Sequence, residues 1–280
     1  MDLSKMNKIL EVNESNWHCV IEPGVTARQL QDELEKHQLK AMLPAGIHPK
    51  EPLQVNETLR AQLVRDGVGP MPEHKGLIKS VKNYDNPWMQ PRTQRDRWAK
   101  KLEIKDVDKK KQKPFFFVGC TVAFDNTQWH VAQNTAKIML AAGTDLGMLG
   151  KKEICCGSPV ARIGDRETFI SLATRNIEFL NNTGAKEIVT FCPGCYRSLN
   201  VDYKEIPGVP ELKPKVYHTS QYYEKLIKEG KIKFKNGQKK CVTWHDPCHL
   251  GVHELKHSFF LGVYTYMIWG CSVKIFKGND

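Results

Sequence analysis

The residues of this chain best placed to do chemistry are cysteines. Ile154-Cys155-Cys156-Gly157 sets two thiols side by side. Adjacent cysteines bond each other poorly, because the eight-membered ring is strained, yet both can turn towards one metal cluster. Cys120 precedes the pair with 34 residues between, and Cys192 follows it with 35 between. Cys192 also opens a CxxC with Cys195, so the pattern is C-x34-CC-x35-CxxC. Thiolates are soft ligands suited to iron–sulfur clusters or zinc. Five of them exceed the four that zinc commonly takes. Gly119, Gly157 and Gly194 beside them let the backbone approach a bulky group and offer it amides. An iron–sulfur cluster on Cys120, Cys155, Cys156, Cys192 and Cys195 is the leading assignment. Zinc, redox-active thiols and buried structural cysteines stand as other readings. A thioredoxin-like role for Cys192 and Cys195 alone leaves the other three without a purpose.

A second constellation is His245-Asp246-Pro247-Cys248-His249, followed by His253. His249 and His253 are four apart and would share a helix face, so with Cys248 they could hold zinc. Histidines serving a loop structurally are the plainer reading. Cys19 and Cys241 read as buried, unreactive residues.

The elements that must carry these thiols follow from hydrophobic pattern. Phe115-Phe116-Phe117-Val118 is an unbroken apolar run, expected of a strand buried on both faces. A helix over 127–142 would bury Val131, Thr135, Ile138, Met139 and Ala142, with Gly143 ending it. A second over 165–181 would bury Phe169, Leu172, Ala173, Ile177 and Leu180. Ile188–Phe191, Val216–His218 and Val242–His245 read as strands, with a helix over 221–228 before the last of these. Alternating strand and helix predicts an α/β domain with a parallel sheet and flanking helices. Ligands in such folds sit beyond the carboxyl ends of the strands. Cys120, Cys192 and Cys248 each follow a strand, so three loops should converge on one rim.

The words Val118-Gly119-Cys120-Thr121, Cys155-Cys156-Gly157-Ser158-Pro159, Cys192-Pro193-Gly194-Cys195-Tyr196 and His245-Asp246-Pro247-Cys248-His249-Leu250-Gly251 carry a resemblance. Residues 114–200 resemble the cysteine-rich domain found in the B and D components of heterodisulfide reductase and in the iron–sulfur subunits of glycolate and lactate dehydrogenases. The resemblance implies that all five cysteines hold one noncubane 4Fe-4S cluster used for electron transfer. It also implies that Cys248 would open a second five-cysteine motif. Only Cys271 follows Cys248, so that motif is incomplete in this sequence and Cys248 is a weaker metal ligand.

Residues 1–50 resemble the middle of an FAD-linked oxidase domain through Asp2–Leu10 and Ile21-Glu22-Pro23-Gly24-Val25-Thr26. A strand at 20–22, a turn at Pro23-Gly24 and a helix from Ala27, capped by Thr26, are expected there. Leu30, Leu34 and His37 form its stripe. The glycine-rich loops that cradle a pyrophosphate are missing from this segment, so FAD is not expected to bind. Residues 51–113 read as a helical and basic linker, with helices near 57–66, around Leu77-Ile78-Val81, and over 93–102. Relatives of this type place a four-cysteine ferredoxin module ahead of the cluster motif; no cysteine lies between Cys19 and Cys120.

The totals bound the function. Apolar residues make up 40% and charged residues 26% of 280, which is globular rather than disordered. The net charge of +11 raises nucleic acid as a partner, but ten Lys/Arg against four acids fall within 92–113 alone. That points to a solvated stretch, or to docking on an acidic partner or an anionic membrane surface, with no nucleic acid. Nine cysteines, with no apolar leader at Met1–Lys5, suit a reducing, cytoplasmic setting better than a disulfide framework. The apolar tail Phe259–Trp269 is too short to span a bilayer. The expectation is an iron–sulfur oxidoreductase subunit with domains at 1–50, 51–113, 114–253 and a tail at 254–280. Its partner would bear flavin or a ferredoxin, within a complex free in the cytoplasm or peripheral to a membrane. The alternative is a non-catalytic remnant or a zinc-binding structural protein.

Overall fold

A computed structural model of the chain describes residues 8–13, 18–21, 27–37, 52–102, 104–106, 114–233, 243–244, 247, 249–250 and 274–275. The chain divides into two compact units, Met1–Val55 with Lys274–Asp280, and Asn56–Val273.

In the smaller unit, β1 (Ile9–Asn13) pairs antiparallel with β2 (His18–Ile21), Val12 facing Cys19. Helix α1 (Ala27–Lys36) begins where the pattern places it. The first strand was not expected; the expected turn at Pro23-Gly24 and the Thr26 cap lie outside the described residues.

Helix α2 (Pro52–Arg65) runs across the division at 55/56, and α3 (His74–Tyr84) follows it in the larger unit. The helix expected over 93–102 is instead two 3-10 turns, Arg92–Gln94 and Arg97–Ala99. Arg95 and Trp98, three residues apart, are both fully buried. One of the ten basic residues of 92–113 is therefore a core residue and not a solvated charge.

The core of the unit is a five-stranded parallel sheet of β3 (Lys105–Asp106), β4 (Phe115–Phe116), β5 (Gly147–Met148), β6 (Glu187–Thr190) and β7 (Lys215–His218), in the order β3-β5-β4-β6-β7. Its helices are α4 (Cys120–Phe124), α5 (Trp129–Ala141), α6 (Ser158–Arg162), α7 (Arg166–Asn182), α8 (Pro193–Asn200) and α9 (Thr219–Lys228). A further strand, β8 (Thr243–Trp244), lies where the pattern puts one but, contrary to expectation, is not part of this sheet. The expected α/β class and parallel sheet are thus found.

From β4 the chain steps one way to β5, then crosses back over β4 to β6 and β7. Because parallel crossovers keep one hand, that reversal sends the helices to opposite faces. The packing shows it. Phe115, Phe117 and Ile188 join a core with α7 and α8, while Phe116, Val118 and Val189 join one with α5 and α9. The apolar run at 115–118 is buried on both sides, as its composition predicts.

Helix α7 buries all five of its expected residues and starts at an Asp165 cap whose carboxylate accepts from the Thr168 amide at 3.0 Å. The expected face of α5 is corrected. Ala132, Thr135, Ala136 and Met139 are buried, while Ile138 is 41% exposed and Val131 only partly covered. Alanines let the helix lie close to the sheet, and the larger neighbours are turned to its flank.

Candidate metal centre

Three loops leave the carboxyl ends of β4, β5 and β6, the adjacent central strands at which the strand order reverses. This is the place in a parallel α/β sheet where crossovers diverge and a crevice opens. The β4 loop delivers Cys120 at the first turn of α4. The β5 loop runs through a 3-10 turn at Gly150–Lys152 to Cys155 and Cys156, and Gly157 caps α6. The β6 loop delivers Cys192 as the cap of α8 and Cys195 in its first turn. Convergence on one rim was expected. The middle loop was not, because β5 has two residues and only Leu146-Gly147-Met148-Leu149 to announce it. Cys248 and His253 lie outside the described residues; Leu250, of the same motif, is buried in the core that holds Cys155 and Cys156.

The five thiols meet. Cys120 neighbours Cys155, Cys155 neighbours Cys156, Cys156 neighbours Cys195, and Cys195 neighbours Cys192. None is in a disulfide, and only Cys192 is partly exposed. Among the described residues no three His, Cys, Asp or Glu side chains are disposed to share a single ion. Five thiols from three loops are a donor set that suits a multi-iron cluster better than one zinc.

Acidity alternates from neighbour to neighbour. The neighbouring Cys155 thiol, helped by Arg95, lowers Cys120 against the cost of burial. The neighbouring thiols of Cys155 and Cys195 hold Cys156 well below the ordinary thiol range. The neighbouring sulfurs, and burial, push Cys155 and Cys195 well above it. The neighbouring Cys195 thiol lowers Cys192. Three helices begin at these loops, and their exposed amides favour negative sulfur.

The cradle fits a bulky group. Gly119 has φ +79°, and a Cβ there would stand 3.1 Å from Cys195 Sγ. Gly157 has φ +85°, and its Cβ would strike the Phe169 ring at 2.6 Å. A side chain at either position would fill the rim or push its loop away.

A surrounding shell holds the loops. The Cys155 amide donates to the Asp85 carbonyl at 2.9 Å. Asn176, from the middle of α7, donates to the Cys155 carbonyl at 2.8 Å and to the Tyr203 hydroxyl at 3.0 Å. Tyr203 in turn donates to the Cys156 carbonyl at 2.9 Å. Arg95 and Glu153, 1% and 2% exposed, form a buried ion pair at 2.7 Å. The other end of the guanidinium donates to Cys120 Sγ at 3.4 Å. Glu153 accepts from the amides of Val118 and Gly119 at 3.2 and 3.0 Å. Below the CxxC helix, Asp202 accepts from Arg197 and Arg162 at 2.8 Å each. None of this shell is among the residues that motif and spacing single out. Asn176 had a signal, a polar residue amid the apolar stripe of α7; Arg95, Glu153 and Tyr203 had none.

Residues 115–200 match the family model of the cysteine-rich domain, and residues 1–50 match that of an FAD binding domain. The chain is similar to a component of the dihydromethanophenazine:CoB--CoM heterodisulfide reductase of Methanosarcina mazei, 36% identical over 200 residues covering 70% of this chain and 47% of that protein. It is also similar to EtfAB:quinone oxidoreductase of Syntrophomonas wolfei, 32% identical over 72% of this chain and 28% of that protein. Probable iron-sulfur-binding oxidoreductase FadF of Bacillus subtilis is 32% identical over 62% of this chain and 25% of its own. The chain spans about half, or less, of the length of these relatives. No solved structure matches it.

Proposed function

We propose, on the premise that residues 115–200 are a cysteine-rich domain, that this chain is an iron–sulfur electron-transfer component of an oxidoreductase. The observation that carries the reading is the gathering of five neighbouring thiols from three loops at the sheet's switch point. Cys120, Cys155, Cys156, Cys192 and Cys195 would hold one cluster, of the noncubane four-iron type that the family resemblance implies. When bound, the cluster supplies a site that accepts and releases electrons. The chain's own residues hold the ligand loops, keep four of the five sulfurs from water, and leave an edge near Cys192.

The relatives' names support the redox reading: a heterodisulfide reductase component, a quinone oxidoreductase and an iron-sulfur-binding oxidoreductase. Its partner would be a flavin- or ferredoxin-bearing protein, in a cytoplasmic or membrane-peripheral complex. Among the described residues no helix is long and apolar enough to cross a membrane. The FAD-binding match does not extend the function to flavin. Residues 1–50 contain just Gly24 and Gly46, too little glycine for the loops that hold a pyrophosphate.

Iron and acid-labile sulfide, measured on anaerobically purified wild type and Cys156→Ser, test the reading. Wild type should hold both and the variant should lose most of its iron. Equal iron in the two, or stoichiometric zinc, would overturn it.

A further inference from the structure

Arg95 is a buried cation aimed at a cluster sulfur. It lies in none of the cysteine loops, and it reaches the rim from the link between the two 3-10 turns that precede the first sheet strand. Its three nitrogens are divided. Nε and Nη2 donate to Glu153 Oε1 at 3.3 and 2.7 Å, while Nη1 donates to Cys120 Sγ at 3.4 Å. The guanidinium stands 5.5 Å over the Phe124 ring, so the side chain is fixed by packing as well. The Glu153 carboxylate meets the guanidinium and the amides of Val118 and Gly119. The pair is neutral as a whole but oriented: the sulfur meets its positive end.

We propose that Arg95 is a positioning residue that sets the reduction potential of the cluster through Cys120, raising it. The inference rests on the iron–sulfur reading above. Hydrogen bonds to the sulfurs and nearby charge are principal levers on the potential of such clusters. Reduction adds negative charge to the cluster, and part of it falls on the thiolate ligands. A donor with a full positive charge stabilises the reduced form more than the oxidised form, most strongly where water cannot screen it. No proton need move, since an arginine stays charged. Glu153 lies two residues before Cys155, so the same pair ties the Cys120 loop to the Cys155-Cys156 loop.

The test is a redox titration followed by visible absorption and electron paramagnetic resonance, on protein of measured iron content. Arg95→Met/Glu153→Gln removes both charges and leaves an amide oxygen for the two backbone donors. It should keep its iron and show a midpoint lowered by about 59 mV, which is a tenfold lower ratio of reduced to oxidised cluster for one electron. Arg95→Gln alone leaves the carboxylate behind and should lower the midpoint further. An unchanged midpoint in either iron-loaded variant overturns the inference and leaves the cluster assignment standing. Wild type without iron removes both. If neither charge-removing variant loads iron, Arg95→Lys decides. Loading restored by lysine supports the role of the charge, and failure of lysine too reduces Arg95 to a packing residue and overturns the inference.

Discussion

The hydroxyl of Tyr203 donates to the carbonyl oxygen of Cys156 at 2.9 Å, at the point where the two-cysteine loop turns into α6. The same hydroxyl accepts from Asn176, which also holds the Cys155 carbonyl. Burial pushes the Tyr203 phenol well above its ordinary range, so it is a donor at any working pH. Tyr203→Phe should strand a buried carbonyl and cost about 1–3 kcal/mol. Urea unfolding of the two proteins checks this. Iron should also leave the variant faster when a chelator is added, because the loop is less firmly held.

Two glycines separate backbone strain from steric conflict. Gly143 and Gly157 have φ of +78° and +85°, but a Cβ at Gly143 meets nothing within 4 Å, whereas one at Gly157 strikes Phe169. Gly143→Ala should cost about 1 kcal/mol, the strain alone. Gly157→Ala should cost roughly 1–3 kcal/mol more, since the Phe169 ring is packed in the core. Parallel denaturant titrations give the difference, and equal losses would contradict the packing described for the two-cysteine loop.

Acid sensitivity should trace partly to His218. Burial lowers its pKa to about 4 from an ordinary 6.5, and its ring nitrogens meet the Phe191 carbonyl and Ser220. The folded chain holds this histidine neutral while the unfolded chain protonates it. Its contribution is complete above about pH 6.5 and is lost as pH falls from there to about 4, with a total of about 3 kcal/mol. His218→Asn should flatten the pH dependence of stability across that window. Unfolding of the metal-free proteins from about pH 7.5 to about pH 4.5 spans most of the window and keeps cluster dissolution out of the comparison.

Flavin should not bind at the amino-terminal segment. Protein incubated with FAD, desalted and denatured should release far less than one flavin fluorescence equivalent per chain. A stoichiometric yield would show that the segment cradles a pyrophosphate without glycine-rich loops.

Five cysteines in C-x34-CC-x35-CxxC, the continuous run Phe115–Val118 and the stripe of α7 determined the class of fold and the thiols that meet at its rim. These are local signals: ligand type, strand burial and helical periodicity are written in neighbouring residues. The three-dimensional packing decided everything that depends on which strand lies beside which. The reversal of strand order at β4 sets the β5 loop next to the β4 and β6 loops, although β5 itself is two residues long and nearly silent in the sequence. The same packing brings Arg95 from a run of solvent-like charges to Cys120, and Glu153 to Arg95 across 58 residues. A buried ion pair leaves no periodic trace, because its stability comes from the partner the fold supplies and not from its neighbours in the chain.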